Sequence, residues 1–205
     1  MMKSKKTAWQ QVSSTLVYRN PWIEVSHDEV LTPGNTEGIY GVVHFSNHAV
    51  GILPIDKDGY TWLVKQTRYV LGSPTWEIPE GGCPLGDCLL SAAQRELKEE
   101  TGLLAERWEM FLEMDLSNSV TDEKATVFLA RGLVQGESAL EVTEDIEVKR
   151  LPLKDAVEMV LDGEIRDAIS EYIYISSLAE TPLADTGFKV MQLASGLTLS
   201  DTVIK

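Results

Sequence analysis

Residues 81–87 read Gly-Gly-Cys-Pro-Leu-Gly-Asp, and residues 95–103 read Arg-Glu-Leu-Lys-Glu-Glu-Thr-Gly-Leu. From Cys88 onward, apolar residues recur every three or four positions, which is the period of an amphipathic helix. Gly102 is typical of the glycine that ends a helix in the left-handed conformation. The stretch therefore predicts a loop followed by one helix, and the segments around this helix have the patterns of strands.

The predicted helix carries three glutamates on one face. Glu96, Glu99 and Glu100 occupy positions i, i+3 and i+4, which are neighbours on a helix surface. Each like-charged pair costs about 0.2–0.5 kcal/mol in a solvated helix, and this cost reverses when a divalent cation binds among the oxygens. A solvated acidic face is the alternative. Oxygen ligands without a neighbouring histidine or thiolate favour Mg²⁺ or Mn²⁺.

The complete stretch resembles the signature of the Nudix hydrolases, G-x5-E-x7-R-E-U-x-E-E-x-G-U, in which U is aliphatic. It matches every fixed position except one, where Asp87 stands in place of glutamate. Two interpretations of Asp87 remain open: its shorter carboxylate supports the site as the family's glutamate does, or it caps the helix. We do not include Asp87 among the expected metal ligands.

This resemblance implies both a fold and a set of metal ligands. The implied fold is the α+β Nudix fold, in which a mixed β-sheet is sandwiched between helices, with a small antiparallel β-sheet at the N-terminus. By resemblance, the cation is bound by the side chains of Glu96, Glu99 and Glu100 and by the main-chain carbonyl of Glu80. Glu99 and Glu100 are also the expected catalytic glutamates of the helix. Arg95 is expected to orient Glu99 from one turn away.

Further segments resemble the branch of this family that hydrolyses ADP-ribose and other nucleoside diphosphate sugars. They are residues 66–69, 76–82, 117–123 and 163–168. This resemblance implies hydrolysis of a pyrophosphate bond with Mg²⁺ as the cofactor. Enzymes strict for ADP-ribose often have a proline beyond the signature, where this chain has Asn118 and Ser119. Strict specificity for ADP-ribose is therefore not expected.

The same branch suggests three substrate-binding residues. Arg68 matches its phosphate-binding arginine, and an ordinary solvated arginine at a strand end is the alternative. Trp22 and Tyr40 lie where similar enzymes present aromatic side chains that sandwich the base, and core packing is the alternative. In those enzymes the N-terminal sheet contributes the aromatics across a dimer, so we expect a homodimer.

The expected general base is Glu144. Residues 144–148 read Glu-Asp-Ile-Glu-Val, which is similar to an acidic motif that this branch places ahead of its last strand. The alternative is an exposed acidic loop that contains Glu141, Glu144, Asp145 and Glu147.

Strand patterns and turn residues predict the N-terminal part of the chain. A small antiparallel sheet is expected within residues 14–45. The dipeptide Asp58-Gly59 is typical of a hairpin turn and would join strands at 49–54 and 60–64.

The remaining elements and the regions of the chain are also predicted. Strands are expected at 108–114, 125–130 and 146–151, followed by a helical region from 153 to about 178 that breaks at Asp162-Gly163. The expected regions are an N-terminal β region for dimerisation and base binding (1–45), a catalytic domain (46–180) and a C-terminal tail (181–205).

The composition argues against several classes of protein. The 205 residues include 18 Lys+Arg and 32 Asp+Glu, so the formal net charge is −14, which repels nucleic acid and anionic membranes. The sequence shows neither a signal peptide nor a run of about 18 apolar residues, so we expect a cytoplasmic protein. Cys83 and Cys88 are expected to be free thiols, because two cysteines do not complete a zinc site.

Together these features predict a Mg²⁺-dependent, homodimeric hydrolase of nucleotide sugars. It would cleave ADP-ribose or another ADP-sugar into a nucleoside monophosphate and a sugar phosphate. One alternative is hydrolysis of GDP-mannose or of nucleoside diphosphate sugars in general. Another is a Nudix module that binds a nucleotide sugar without turnover, although such a module would not have to keep three repelling glutamates.

Overall fold

The computed structural model describes residues 8–136 and 146–177. Its elements are β1 (Gln10–Arg19), β2 (Ile23–Leu31), β3 (Glu37–Phe45), β4 (Asn47–Pro54), β5 (Tyr60–Arg68), β6 (Ser73–Glu77), β7 (Glu80–Pro84), α1 (Leu89–Thr101), β8 (Leu103–Asp115), β9 (Lys124–Gln135), β10 (Glu147–Pro152), α2 (Leu153–Leu161) and α3 (Ala168–Ser177). Within this part of the chain the strands form sheets of order β1-β2-β3, β10-β5-β6 and β7-β4-β9-β8. Sheets combined with helices in this way confirm the α+β class. The predicted tail at 181–205 lies outside the described residues.

The first three strands form the small antiparallel sheet that the sequence predicted. β2 pairs with β3 along its whole length and with β1 across two irregular positions. The first reversal depends on Asn20, whose Oδ1 accepts hydrogen bonds from the amides of Trp22 and Ile23, both at 2.8 Å. Asparagine stabilises turns in this way because its side chain imitates a backbone acceptor. Every residue of β1 is exposed.

The prediction that β4 and β5 pair as a hairpin is wrong, although the turn between them is present. The chain does reverse tightly there: the Asp56 Oδ1 accepts hydrogen bonds from the amides of Asp58 and Tyr60 at 2.9 Å, and Gly59 has a φ of 79°. However, β4 lies between β7 and β9, whereas β5 lies between β10 and β6. The turn residues specify the reversal, and the partners of each strand are decided by packing.

Helix α1 has the bounds that the sequence predicted. Its C-cap is Gly102, with a φ of 72° and an amide that donates to the Lys98 carbonyl at 2.9 Å. Its N-cap is Cys88, which makes no side-chain capping bond. The predicted apolar stripe packs inward, since Ala93 and Leu97 are fully buried.

Contacts divide the chain into two compact units. Among the described residues, the smaller unit comprises 8–49, 82–87 and 113–125, and the larger comprises 50–81, 88–112, 126–136 and 146–177. The larger unit has an apolar core whose largest fully buried side chains include Ile52, Leu63, Leu97, Ile173 and Tyr174. Among the described residues, no helix is both long enough and apolar enough to cross a membrane.

Candidate active site

The larger unit gathers acidic side chains from two strands and a helix. Glu77 ends β6, Glu80 begins β7, and Glu96 and Glu100 lie on α1. Glu96 and Glu100 are 7% and 2% exposed. The alternative of a solvated acidic face is therefore wrong for these two glutamates, because they face the protein interior.

The backbone at Glu80 and Gly81 lies against both buried helix carboxylates. The Glu80 amide donates to Glu100 Oε2 at 3.1 Å. A Cβ added to Gly81 would overlap the Glu96 carboxyl group, so a larger residue at this position would have to displace that carboxylate. The structure thus brings the main chain of Glu80 and Gly81 close to the side chains of Glu96 and Glu100, and the implied ligation by the Glu80 carbonyl stays a prediction.

Arg95 holds two of the helix glutamates in place. Its guanidinium donates to Glu99 Oε2 and to Glu96 Oε1, both at 2.7 Å. Partial burial lowers the pKa of Arg95, but the charges of Glu96 and Glu99 outweigh this effect and raise it above its ordinary value. The expected contact between Arg95 and Glu99 is present, and the contact with Glu96 is additional.

Arg68 makes a network of hydrogen bonds with two further glutamates. Its Nε lies 3.2 and 3.0 Å from the two carboxylate oxygens of Glu77, and its Nη2 lies 2.5 Å from Glu77 Oε2 and 2.7 Å from Glu80 Oε1. The Glu77 carboxylate also accepts a hydrogen bond from the Thr75 hydroxyl. The side chain of Glu77 is only 3% exposed, whereas that of Arg68 is 40% exposed. Arg68 is therefore not simply a solvated strand-end arginine.

The side chains of Glu77 and Glu80 were missed as site residues by the sequence reasoning. From the sequence, residues 76–82 were assigned only a resemblance to the nucleotide-sugar branch and one main-chain carbonyl, that of Glu80. No local signal identifies Glu77, because alternation along the strand places it on the face opposite to Trp76 and Ile78, where a solvated acid is the ordinary outcome.

Glu80 has the properties of a ligand without its cation. Its Oε2 is buried and has no hydrogen-bond partner among the described residues. Burial, followed by the charge of Asp167, raises the pKa of Glu80 well above its ordinary value despite the nearby Arg68. A buried polar atom normally has a partner, so this oxygen indicates a place for an external donor or cation.

The chemistry of these donors fits a hard divalent cation. All are carboxylate or carbonyl oxygens, which Mg²⁺ and Mn²⁺ prefer. In the described part of the chain, however, no three acidic, histidine or cysteine side chains are close enough to hold a metal ion by themselves. Arg95 occupies Glu96 and Glu99 instead.

The other predicted site residues are Glu144, Trp22 and Tyr40. Glu144 falls outside the described residues. Trp22 and Tyr40 belong to the smaller unit. Trp22 is 66% exposed, so core packing is wrong for it. The Tyr40 hydroxyl donates to the Ser119 carbonyl, and its ring lies edge-on to Trp9 at 5.6 Å between centroids.

Two smaller expectations are also resolved. The helix-cap interpretation of Asp87 is wrong, because Cys88 is the N-cap of α1 and no side chain caps it. The two cysteines are free thiols, as predicted, with Cys83 buried and Cys88 exposed.

Two family profiles match this chain. The NUDIX domain matches residues 46–172, and the nucleoside diphosphate sugar hydrolase N-terminal domain matches residues 9–43. Together they cover most of the described residues.

Two relatives and a solved structure are similar to the chain. An ADP-ribose pyrophosphatase of Mycobacterium tuberculosis is 31% identical over 184 residues, covering 88% of this chain and 86% of the relative. One of Bacillus subtilis is 36% identical over 126 residues, covering 60% and 68%. A crystal structure of an ADP compounds hydrolase superimposes with a TM-score of 0.76 at 20% identity, covering 87% of this chain and 97% of the other. This last similarity concerns the fold alone.

Proposed function

Because the chain belongs to the Nudix family, we propose that it hydrolyses the pyrophosphate bond of nucleoside diphosphate sugars, with ADP-ribose or another ADP-sugar preferred. The products are a nucleoside monophosphate and a sugar phosphate. Its similarity to two ADP-ribose pyrophosphatases supports this choice of substrate. The match of residues 9–43 to a sugar-hydrolase N-terminal domain supports it independently.

The observation that carries the proposal is the contact of the Glu80–Gly81 backbone with two buried carboxylates. The 3.1 Å bond from the Glu80 amide to Glu100 and the close approach of Gly81 to Glu96 gather oxygens in one place. Glu96 and Glu100, four residues apart on α1, carry like charges that repel each other, and a bound divalent cation offsets this repulsion. The family resemblance and the donor chemistry favour Mg²⁺ as that cation.

The carboxylates of Glu96, Glu99 and Glu100 and the carbonyl of Glu80 would hold the cation. When bound, a divalent cation neutralises pyrophosphate oxygens and lowers the pKa of a water molecule. Arg95 pairs with two of these carboxylates in the structure, and so keeps them ordered and partly neutralised.

Arg68 is proposed to bind a phosphate of the substrate. Its contacts with Glu77 and Glu80 use Nε and Nη2, which leaves Nη1 without a partner among the described residues. A guanidinium held on one edge and free on the other is already oriented for a phosphate oxygen. Glu77 is a positioning residue in this scheme, because it acts through Arg68.

The remaining roles are proposed from the resemblance. Glu144 is the general base, and Trp22 and Tyr40 stack on the base of the nucleotide. The exposure of Trp22 supports a binding role. We also propose a cytoplasmic homodimer formed through the N-terminal sheet. The exposed strand β1, which includes Val12, Leu16 and Val17, offers apolar surface for that contact.

A substrate panel tests the proposal. The full chain is incubated with ADP-ribose, ADP-glucose and GDP-mannose in Mg²⁺, Mn²⁺ or EDTA, and kcat/KM is measured from the phosphomonoester released. We expect turnover with Mg²⁺, none with EDTA, and kcat/KM for ADP-ribose at least about tenfold above that for GDP-mannose. The reverse preference would assign the GDP-mannose alternative, and binding without turnover would assign the binding module.

A further inference from the structure

A second pocket in the larger unit is basic, although the protein is strongly acidic. Its volume is about 410 Å³, within the roughly 300–1,000 Å³ that small-molecule sites occupy. The charged side chains in its lining are those of Lys57, Arg107, Arg131 and Arg150 and of two acids, Asp56 and Asp58. Since the whole chain has a formal net charge of −14, this excess of cations is opposite in sign to the protein average.

The pocket is separate from the candidate active site. Trp62, near the start of β5, lines the pocket and pairs in register with Arg150 of β10. Arg68 is the last residue of the same strand. At about 3.3 Å per residue, the six steps from Trp62 to Arg68 span about 20 Å. The two sites therefore lie at opposite ends of β5.

Contacts among Arg150, Asp56 and Tyr60 fix one wall of the pocket. Arg150 donates from Nε and Nη2 to Asp56 Oδ2 at 3.2 and 2.5 Å. Its guanidinium carbon lies 3.8 Å from the centre of the Tyr60 ring. The other oxygen of Asp56 accepts the amides of Asp58 and Tyr60 at 2.9 Å. Asp56 is therefore fully used by these partners and does not neutralise the other two arginines.

Arg107 and Arg131 supply the unpaired charge. They lie on β8 and β9, which are neighbours in one sheet. Over residues 8–136 and 146–177, neither guanidinium group makes a hydrogen bond or an ion pair. The acid next to Arg107, Glu106, packs against Gly132, where an added Cβ would lie 2.9 Å from its Oε2. Since neighbouring residues of a strand point to opposite faces, Glu106 is directed away from Arg107.

We infer that this pocket is a binding site for the phosphate group of a small molecule, distinct from the catalytic site. Two guanidinium groups present planar donors that match phosphate oxygens. Trp62 and Leu133 add an apolar part to the lining, against which the carbon skeleton of the ligand packs. The carboxylate of Asp58 also lines the pocket and repels an anion, so replacing Asp58 by a neutral residue strengthens binding.

Isothermal titration calorimetry of the full chain with inorganic pyrophosphate in EDTA tests this inference. Without a divalent cation, the carboxylates of the candidate active site repel the anion. We expect saturable binding whose affinity falls at least about tenfold in R107Q/R131Q, because each substitution removes a charge-assisted pair. Asp58→Asn is expected to raise the affinity. The control K154Q/R166Q, which removes the same charge from exposed positions, is expected to stay within about twofold of the wild type.

The absence of binding, or equal binding by R107Q/R131Q and the wild type, overturns the inference. Circular dichroism shows whether this variant is folded; if it is not, an unchanged affinity in Asp58→Asn overturns the inference instead. Titrations with AMP and with ribose 5-phosphate are then compared. The compound that binds more tightly identifies the kind of small molecule that carries the phosphate. No turnover is measured, so an inactive enzyme would contradict the proposed function and leave this result intact.

Discussion

Replacing Arg68 by methionine is expected to destabilise the fold as well as impair activity. Methionine keeps most of the side-chain length but leaves Glu77, whose carboxylate is 3% exposed, without its cation. Removing one partner of a buried ion pair costs about 3–5 kcal/mol. Because Arg68 is itself 40% exposed, solvent screening reduces this estimate to about 2–3 kcal/mol. At about 2–4 °C per kcal/mol for a protein of this size, the melting temperature should fall by about 4–12 °C.

The measurement is urea denaturation of the metal-free protein, in parallel with calorimetry. Arg19→Met is the matched control, because Arg19 also lies 2.7 Å from an acid, Glu24, but in a pair whose side chains are 62% and 42% exposed. We expect this control to lose at most about 1 kcal/mol.

A second variant separates the charge of Glu77 from its packing. In R68M/E77Q the buried group is a neutral amide, so at least half of the lost stability should return. Activity should not return, because the guanidinium that we propose to bind phosphate is still missing. If R68M is as stable as R19M, or if E77Q in the R68M background restores nothing, then Arg68 does not compensate the buried charge of Glu77.

The other predictions concern catalysis and substrate binding. Gly81→Ala should lower kcat at least about tenfold, because its Cβ would displace the Glu96 carboxylate; an unchanged kcat would mean that the position of this carboxylate is not critical. Glu100→Gln should lower kcat by about two orders of magnitude at saturating Mg²⁺ while the melting temperature in EDTA stays equal or rises, since like-charge repulsion is relieved; near-normal turnover would remove Glu100 from the metal site. Glu144→Gln should reduce kcat far more than it alters KM, as expected for a base, whereas a raised KM alone would make it a binding residue. Trp22→Ala should raise KM about five- to a hundredfold for ADP- and GDP-linked substrates alike through lost stacking, and a lower melting temperature with unchanged KM would assign Trp22 a structural role instead.

The sequence by itself determined the features that depend on short separations along the chain. The bounds of α1 follow from the apolar period and from Gly102, and the shared face of Glu96, Glu99 and Glu100 follows from helix geometry. The contact between Arg95 and Glu99 is likewise set by a spacing of four residues. Turn residues such as Asn20 specify local reversals because their side chains satisfy nearby amides.

Only the tertiary structure decided which distant groups meet. Arg68 and Glu77 are brought together because β5 and β6 pair, and no local pattern shows that Glu77 is buried there. The bond from the Glu80 amide to Glu100 spans twenty residues. The Asp58-Gly59 turn reverses the chain but does not form a hairpin, because the flanking strands β4 and β5 pair with other strands in two different sheets. Pairing and burial depend on the sum of packing interactions over the whole core, which a local sequence pattern does not contain.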